Sequence, residues 1–117
     1  LDEKNIDFKQ ISEIIDRVDL SRFVNSLDNG IYSVVGDSSN LISGGQAQRI
    51  SLARALYYKS EILILDEFTN QLDANTENKI LDIIGELKKE RTIIMVSHKT
   101  NPINICDEVF EINWLND

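Results

Sequence analysis

Cysteine occurs once, at Cys106, and histidine once, at His98. A lone thiol closes no internal disulfide and fits a reducing compartment. One thiol and one imidazole also fall short of the ligand set of a structural zinc site. Glycine is sparse: of the five, at 30, 36, 44, 45 and 85, none is followed by lysine. A phosphate-cradling loop of the form G-x-x-x-x-G-K-S/T is therefore absent. Positive charge is short as well, with 12 Lys and Arg against 20 Asp and Glu, a net charge of −8. Such a chain is a poor match for a phosphodiester backbone, which argues against a nucleic-acid partner. No apolar run approaches the ~18–20 residues of a membrane span, and the opening LDEKNIDFKQ has no apolar core of the kind a signal peptide needs. What remains is 117 residues with 42% hydrophobic composition, enough for one small domain.

Hydrophobic spacing divides the chain into helices and two greasy strands. Ile11, Ile14, Ile15 and Val18 fall at i, i+3, i+4 and i+7, one helix face, with Asp7 as its cap. A short helix is predicted from Ser21 to about Leu27, LDNG makes a turn, and IYSVVGD reads as extended chain or loop. ISLARALYY continues a helix entered at Ser43, with Gln46 completing a capping box. ILIL, Ile62 to Leu65, and TIIMV, Thr92 to Val96, are continuous apolar runs that suit strands buried on both faces of a parallel sheet. Between them Asp73 can cap a helix whose Ile80, Leu81, Ile84 and Leu87 face a core, with Lys88 and Lys89 in its last turn. VFEINW, Val109 to Trp114, alternates like a half-exposed third strand. Strand, helix, strand in this order gives right-handed βαβ units and a parallel sheet.

Two places carry candidate chemistry. Asp66 and Glu67 follow the first strand directly and Ser97-His98 follow the second, so parallel strands deliver all of them to the edge where open α/β sheets bind ligands. An Asp-Glu pair there suits magnesium–nucleotide chemistry: the Asp holds a hydrated Mg²⁺ and the Glu orients the attacking water. A histidine beside them can donate to a phosphate as charge shifts in the transition state. The other place is Ser43-Gly44-Gly45-Gln46. Two glycines in a first helical turn cost about 1 kcal/mol each relative to Ala. A tight helix entry explains them blandly; an anion meeting bare backbone N–H groups, helped by the dipole and the Ser43 hydroxyl, explains them chemically.

Together these residues resemble the nucleotide-binding domain of ABC transporters. ISGGQ, Ile42 to Gln46, is similar to the family's signature, usually LSGGQ. ILILDE, Ile62 to Glu67, resembles Walker B with its catalytic glutamate. NQLD, Asn70 to Asp73, resembles the D-loop, often SALD, with larger residues at Asn70 and Gln71. Ser97-His98 resembles the switch histidine. Order and spacing of all four match over Val35 to Ile112. VGDSSN, Val35 to Asn40, is similar to the VGExG segment by which exporter-type members contact their transmembrane helices.

The resemblance implies an α/β fold: a P-loop NTPase-type parallel sheet with helices, plus part of the ABC helical subdomain. Residues 1–46 would form that part of the subdomain and end in the signature. Residues 47–117 would form the C-terminal part of the core. The domain is expected to be incomplete, with the P-loop, the adenine-stacking aromatic and the Q-loop upstream. The implied activity is ATP hydrolysis coupled to transport by an exporter or flippase in a longer parent, with the 117 residues alone inactive. ATP and Mg²⁺ are the implied cofactors. Glu67 and His98 would be catalytic and Asp66 would hold the metal. Ser43, Gly44, Gly45, Gln46 and Asp73 would contact nucleotide, the signature reaching a γ-phosphate bound to the opposite subunit. A side chain at Gly45 is then expected to obstruct that phosphate rather than harm the helix. The implied partners are a second nucleotide-binding domain and a transmembrane domain, at the cytoplasmic face of a membrane. A cytosolic translation-type ABC ATPase, a chromosome-maintenance or DNA-repair ATPase, and a non-catalytic scaffold are the other readings. With a greasy sheet edge left open, the isolated chain is expected to self-associate or to need its missing half.

Overall fold

The computed structural model describes residues 5–36 and 41–113. Helix α1 spans Phe8–Arg17, and Asp7 caps it by accepting from the Gln10 N–H at 3.0 Å. Ile14 and Ile15 face inward and Val18, at the end of the helix, is fully buried. The turn into α2, Ser21–Ser26, passes through Asp19, whose φ of +61° is left-handed. That turn is tied to the rest of the chain by charge. Arg49 donates to the Asp19 carbonyl, and Lys79 Nζ reaches the Asp19 carboxylate at 3.2 Å. A single 3₁₀ turn at Gly30–Tyr32 follows, with Gly30 at a φ of +51° that favours glycine.

Helix α3, Gly44–Tyr58, begins with the anticipated capping box. Ser43 Oγ accepts from the Gln46 N–H at 3.1 Å, and Gln46 Oε1 accepts from the Ser43 N–H at 2.8 Å. Its most buried side chains are Leu52 and Leu56, while Ile50 and Ala53 are only partly buried. Then come β1, Ile62–Asp66, α4, Ala74–Leu87, β2, Thr92–Val96, and the short α5, Thr100–Asn104. Helix α4 stops at Leu87, so Lys88 is its C-cap rather than part of its last turn. β1 and β2 pair in parallel, from Ile62 opposite Thr92 to Asp66 opposite Val96. Ile80, Leu81, Ile83, Ile84 and Leu87 of α4 join Leu52 and Leu56 of α3 and Leu63 and Leu65 of β1 in one continuous core.

Two expectations need correction. Among the described residues the strands are covered on one face only. Leu63 and Leu65 are 7% and 3% exposed, but Ile62, Ile64, Ile94 and Val96 are all about half exposed or more. A continuous apolar run gives no clue to how many layers will cover it, and both long core helices lie against the Leu63–Leu65 face. The anticipated third strand also does not form over residues 109–113. Its alternation leaves Phe110 and Ile112 exposed, because a strand needs an edge to pair with and no described segment pairs there. Trp114 and most of the VGDSSN stretch, from Asp37 to Asn40, lie outside the described residues.

The glycines of α3 answer to a neighbour inside the same chain. A Cβ on Gly45 would sit 2.8 Å from the Gln71 carbonyl oxygen, and one on Gly44 would sit 2.9 Å from Gln71 Cγ. The expectation that a side chain at Gly45 leaves the helix unharmed is thereby corrected, since it meets backbone before it meets any ligand. Gly85, in the interior of α4, has nothing within 4 Å of such a Cβ. Gly45→Ala should therefore lower stability by about 1–3 kcal/mol through overpacking, despite better helix propensity. Gly85→Ala should raise it by up to about 1 kcal/mol. Urea denaturation of the two variants checks the opposite signs; equal gains would mean that α3 does not rest on Gln71.

Candidate active site at the strand ends

Parallel pairing carries one residue beyond β1. The Glu67 N–H donates to the Val96 carbonyl at 2.9 Å, which brings the chain after β1 alongside the chain after β2. Glu67 then turns with a φ of +47°, a left-handed conformation that costs a non-glycine residue on the order of 1–3 kcal/mol. Its carbonyl is held from two sides, accepting from the Asn70 N–H at 3.1 Å and from Gln48 Nε2 of α3 at 3.4 Å. The turn fixes the side chain beside the other strand end: Glu67 Oε1 lies 3.1 Å from His98 Nε2. The imidazole is 92% exposed, the carboxylate 28%. The second carboxylate oxygen, Oε2, is buried and has no hydrogen-bond partner. An unpaired buried acceptor is costly, so the turn holds this oxygen at some expense of stability.

Of the eight residues singled out in the sequence, Glu67 and His98 are thus in contact, and Asp66 stands next to them, exposed, at the end of β1. Ser43, Gly44, Gly45 and Gln46 form the α3 N-terminus and lie against Gln71, in the loop that leads from Glu67 to α4. There the side chains of Ser43 and Gln46 each accept from the other residue's backbone N–H. The N–H groups of Gly44 and Gly45 fall in the first turn, where helix geometry offers no acceptor. Asp73 caps α4 with both oxygens, accepting from the Thr76 N–H at 3.0 Å and the Thr76 hydroxyl at 2.8 Å. Those bonds, the backbone one first, hold its pKa below the usual carboxylate value. An apolar hollow of about 400 Å³ between α1, α2 and α3, lined by Ile15, Phe23, Ile50 and Tyr57 among others, includes none of the eight.

Sequence reasoning missed Gln48, Thr69, Glu77 and Lys99. Glu77 left a signal. It precedes Ile80, Leu81 and Ile84 by three, four and seven residues, so a carboxylate sits on the apolar stripe of α4. In the fold it is 6% exposed. A hydrogen bond from the Thr69 side chain, aided by Lys99 and Asn101, holds its pKa below the ordinary 4.5 against the opposing effect of burial. Lys99 Nζ is 3.0 Å from Glu77 Oε1 and donates to the Thr69 carbonyl at 2.9 Å.

Because the folded pKa of Glu77 is depressed, the stability it contributes is complete above the ordinary value and is lost as pH falls through the folded one. Melting curves taken from neutral pH down to about pH 3 should show the native chain losing stability on that acid limb more steeply than Glu77→Gln does. Parallel acid limbs would show that the Glu77 charge is not held by its partners.

Comparison with known proteins identifies the family. A family model described as ABC transporter matches residues 3–70. The ATP-dependent lipid A-core flippases of Salmonella paratyphi A (strain ATCC 9150 / SARB42) and Escherichia coli (strain K12) are each 43% identical over 101 residues, 86% of this chain and 17% of theirs. The chain thus spans about a sixth of the length of these curated relatives. Among solved structures, that of a bacterial Atm1-family ABC exporter with ATP bound superposes with a TM-score of 0.73 at 29% identity, over 83% of this chain and 17% of that one. A parallel pair of strands with an acidic turn after the first and a histidine after the second, an α3 that opens on SGGQ, and these matches together place the chain in the ABC transporter family.

Proposed function

We propose that this chain belongs to the ATP-hydrolysing part of an exporter or flippase, where it activates water and presents its signature helix to a nucleotide. The observation that carries the reading is the Glu67–His98 contact at the strand ends, with Glu67 Oε2 buried and unpartnered. The names of the relatives, lipid A-core flippases and an Atm1-family exporter, favour transport over the translation-type and chromosome-maintenance readings. In this reading residues 1–46 belong to the helical subdomain and residues 47–117 to the nucleotide-binding core. The intact protein would carry a membrane-spanning domain and work with a second nucleotide-binding domain at the cytoplasmic face of the membrane. A net charge of −8 supports leaving nucleic acid out.

The donor set fits ATP with Mg²⁺. Mg²⁺ keeps several waters and takes one or two carboxylates plus phosphate oxygens, so the exposed Asp66 carboxylate beside Glu67 is enough to hold it through water. When bound, the ion neutralises charge building on the phosphates. Glu67 does the work on water. Its carboxylate would accept one hydrogen of the attacking water, leaving a lone pair of that water to face phosphorus, while the left-handed turn at Glu67 fixes where the side chain starts. His98 Nε2 lies against one carboxylate oxygen, Oε1, at 3.1 Å. Being 92% exposed, the imidazole is free to turn toward a phosphate oxygen and donate there. The Gly44 and Gly45 N–H groups would meet the γ-phosphate of a nucleotide held by the partner domain, with Ser43 and Gln46 shaping that helix end. Asp73 would serve through its cap, which sets where α4 and the preceding loop stand.

In the intact protein Glu67→Gln should lower steady-state ATP hydrolysis by at least about 100-fold and leave MgATP binding in place. His98→Ala should also slow turnover severely. Loss of nucleotide binding together with activity in the Glu67 variant would give that residue a structural role, and near-normal turnover without the imidazole would remove His98 from the site.

A further inference from the structure

The contact between Glu67 and His98 is made by two side chains on two separate loops. Among the described residues no other hydrogen bond or ion pair holds the imidazole. Its place over the carboxylate therefore depends on what fixes the loops. The residue after His98 is Lys99, and its side chain runs back across the site. Lys99 Nζ donates to the Thr69 carbonyl at 2.9 Å, two residues beyond Glu67, and to Glu77 Oε1 at 3.0 Å. The Lys99 N–H donates to Ser97 Oγ at 3.0 Å, which closes the turn that carries His98. Glu77 lies in the first turn of α4, its N–H bonded to the carbonyl of the capping Asp73 at 2.8 Å. Thr69 and Glu77 are 2% and 6% exposed. One buried carboxylate and one ammonium thus join the loop of Glu67, the loop of His98 and the start of α4.

We propose that Glu77 and Lys99 are positioning residues for hydrolysis: their ion pair, anchored on Thr69, sets the separation of Glu67 and His98 without touching nucleotide. The proposal rests on the hydrolytic reading given above. The pair is a weak source of stability, since Lys99 stays 37% exposed and burial of the Glu77 carboxylate offsets much of the attraction. What such a pair does supply here is a fixed geometry between three segments that share no strand or helix. Lys99 also brings two donors' worth of direction to one point, an acceptor carbonyl on one loop and a carboxylate on the helix, which no apolar side chain replaces.

The test is made in the intact protein with MgATP. Lys99→Met and Glu77→Gln should lower kcat by about 10- to 100-fold, the scale of a small misplacement of catalytic groups, with KM little changed. Lys99→Arg, which keeps the charge and the donors, should restore most of the rate. Lys99→Met leaves the buried Glu77 carboxylate without its ammonium and can cost the fold, so the double variant Glu77→Met/Lys99→Met is the safeguard. It removes both charges and should melt near the native temperature while remaining slow. Native kcat in the folded double variant overturns the proposal. So does a double variant that fails to fold, or a fall in binding that matches the fall in rate, because both mark a purely structural pair. Glu67→Gln run alongside separates the two claims. If it leaves hydrolysis intact, the functional reading is what fails. If it abolishes hydrolysis while Lys99→Met does not, only the positioning role fails.

Discussion

The hydrogen bond from the Glu67 N–H to the Val96 carbonyl extends a parallel pairing of only five residues by one step, and the whole site follows from that step. Parallel strands present their C-terminal ends together, so the two loops leaving the sheet start side by side. The extra bond keeps them so through the first turn, and the left-handed turn at Glu67 then brings the carboxylate to the imidazole. Each part of the support acts on this turn. Gln48 reaches the Glu67 carbonyl from α3, Asn70 closes the loop from below, and Lys99 ties the far loop to Thr69. A strained residue persists only where its surroundings over-determine it, and here they do.

The energy that sustains this strain comes from one side of the sheet. Leu63 and Leu65 pack with Leu52, Leu56, Ile80 and Ile84, all nearly excluded from water, and each such side chain contributes about 1.5–3 kcal/mol on burial. The opposite side contributes little, with Ile62, Ile64, Ile94 and Val96 largely open. The edge that carries Glu67 and His98 therefore rests, among the described residues, on the α3–α4 layer. That layer also holds the signature glycines, the Asp73 cap and Glu77, so packing and chemistry use the same helices at their N-terminal ends.

Much of this was legible in the sequence, because it depended on short-range rules. The caps at Asp7, Ser43 and Asp73 are written in residue types a few positions apart, and all three form. The helical faces of α1 and α4 follow from a 3.6-residue period. That Glu67 and His98 leave the sheet at one edge follows from parallel topology, while their contact needs the left-handed turn at Glu67. The misses have one physical origin. Burial of a strand face and pairing of a terminal strand depend on what covers or borders them, and ILIL or VFEINW carries no record of that. Glu77 was passed over because a charged residue on an apolar stripe looks like a solvated one until its partner is known, and Lys99 lies 22 residues away.

Gly44 and Gly45 show how one residue type can satisfy two demands. Their missing Cβ atoms leave room for Gln71, whose carbonyl would otherwise lie 2.8 Å from a methyl on Gly45. A helix tilts its Cβ atoms toward its N-terminus, the end that the free N–H groups of the first turn also face. The close packing and the proposed phosphate contact both favour glycine, each for a different reason. A Gly45 variant that loses activity reports first on the loop that carries Gln71, and through it on Glu67, four residues before. Ser43 separates the two demands better. Its backbone N–H and its Oγ serve the capping box, but its hydroxyl hydrogen is still free to donate, so alanine there tests the helix end without forcing the loop to move.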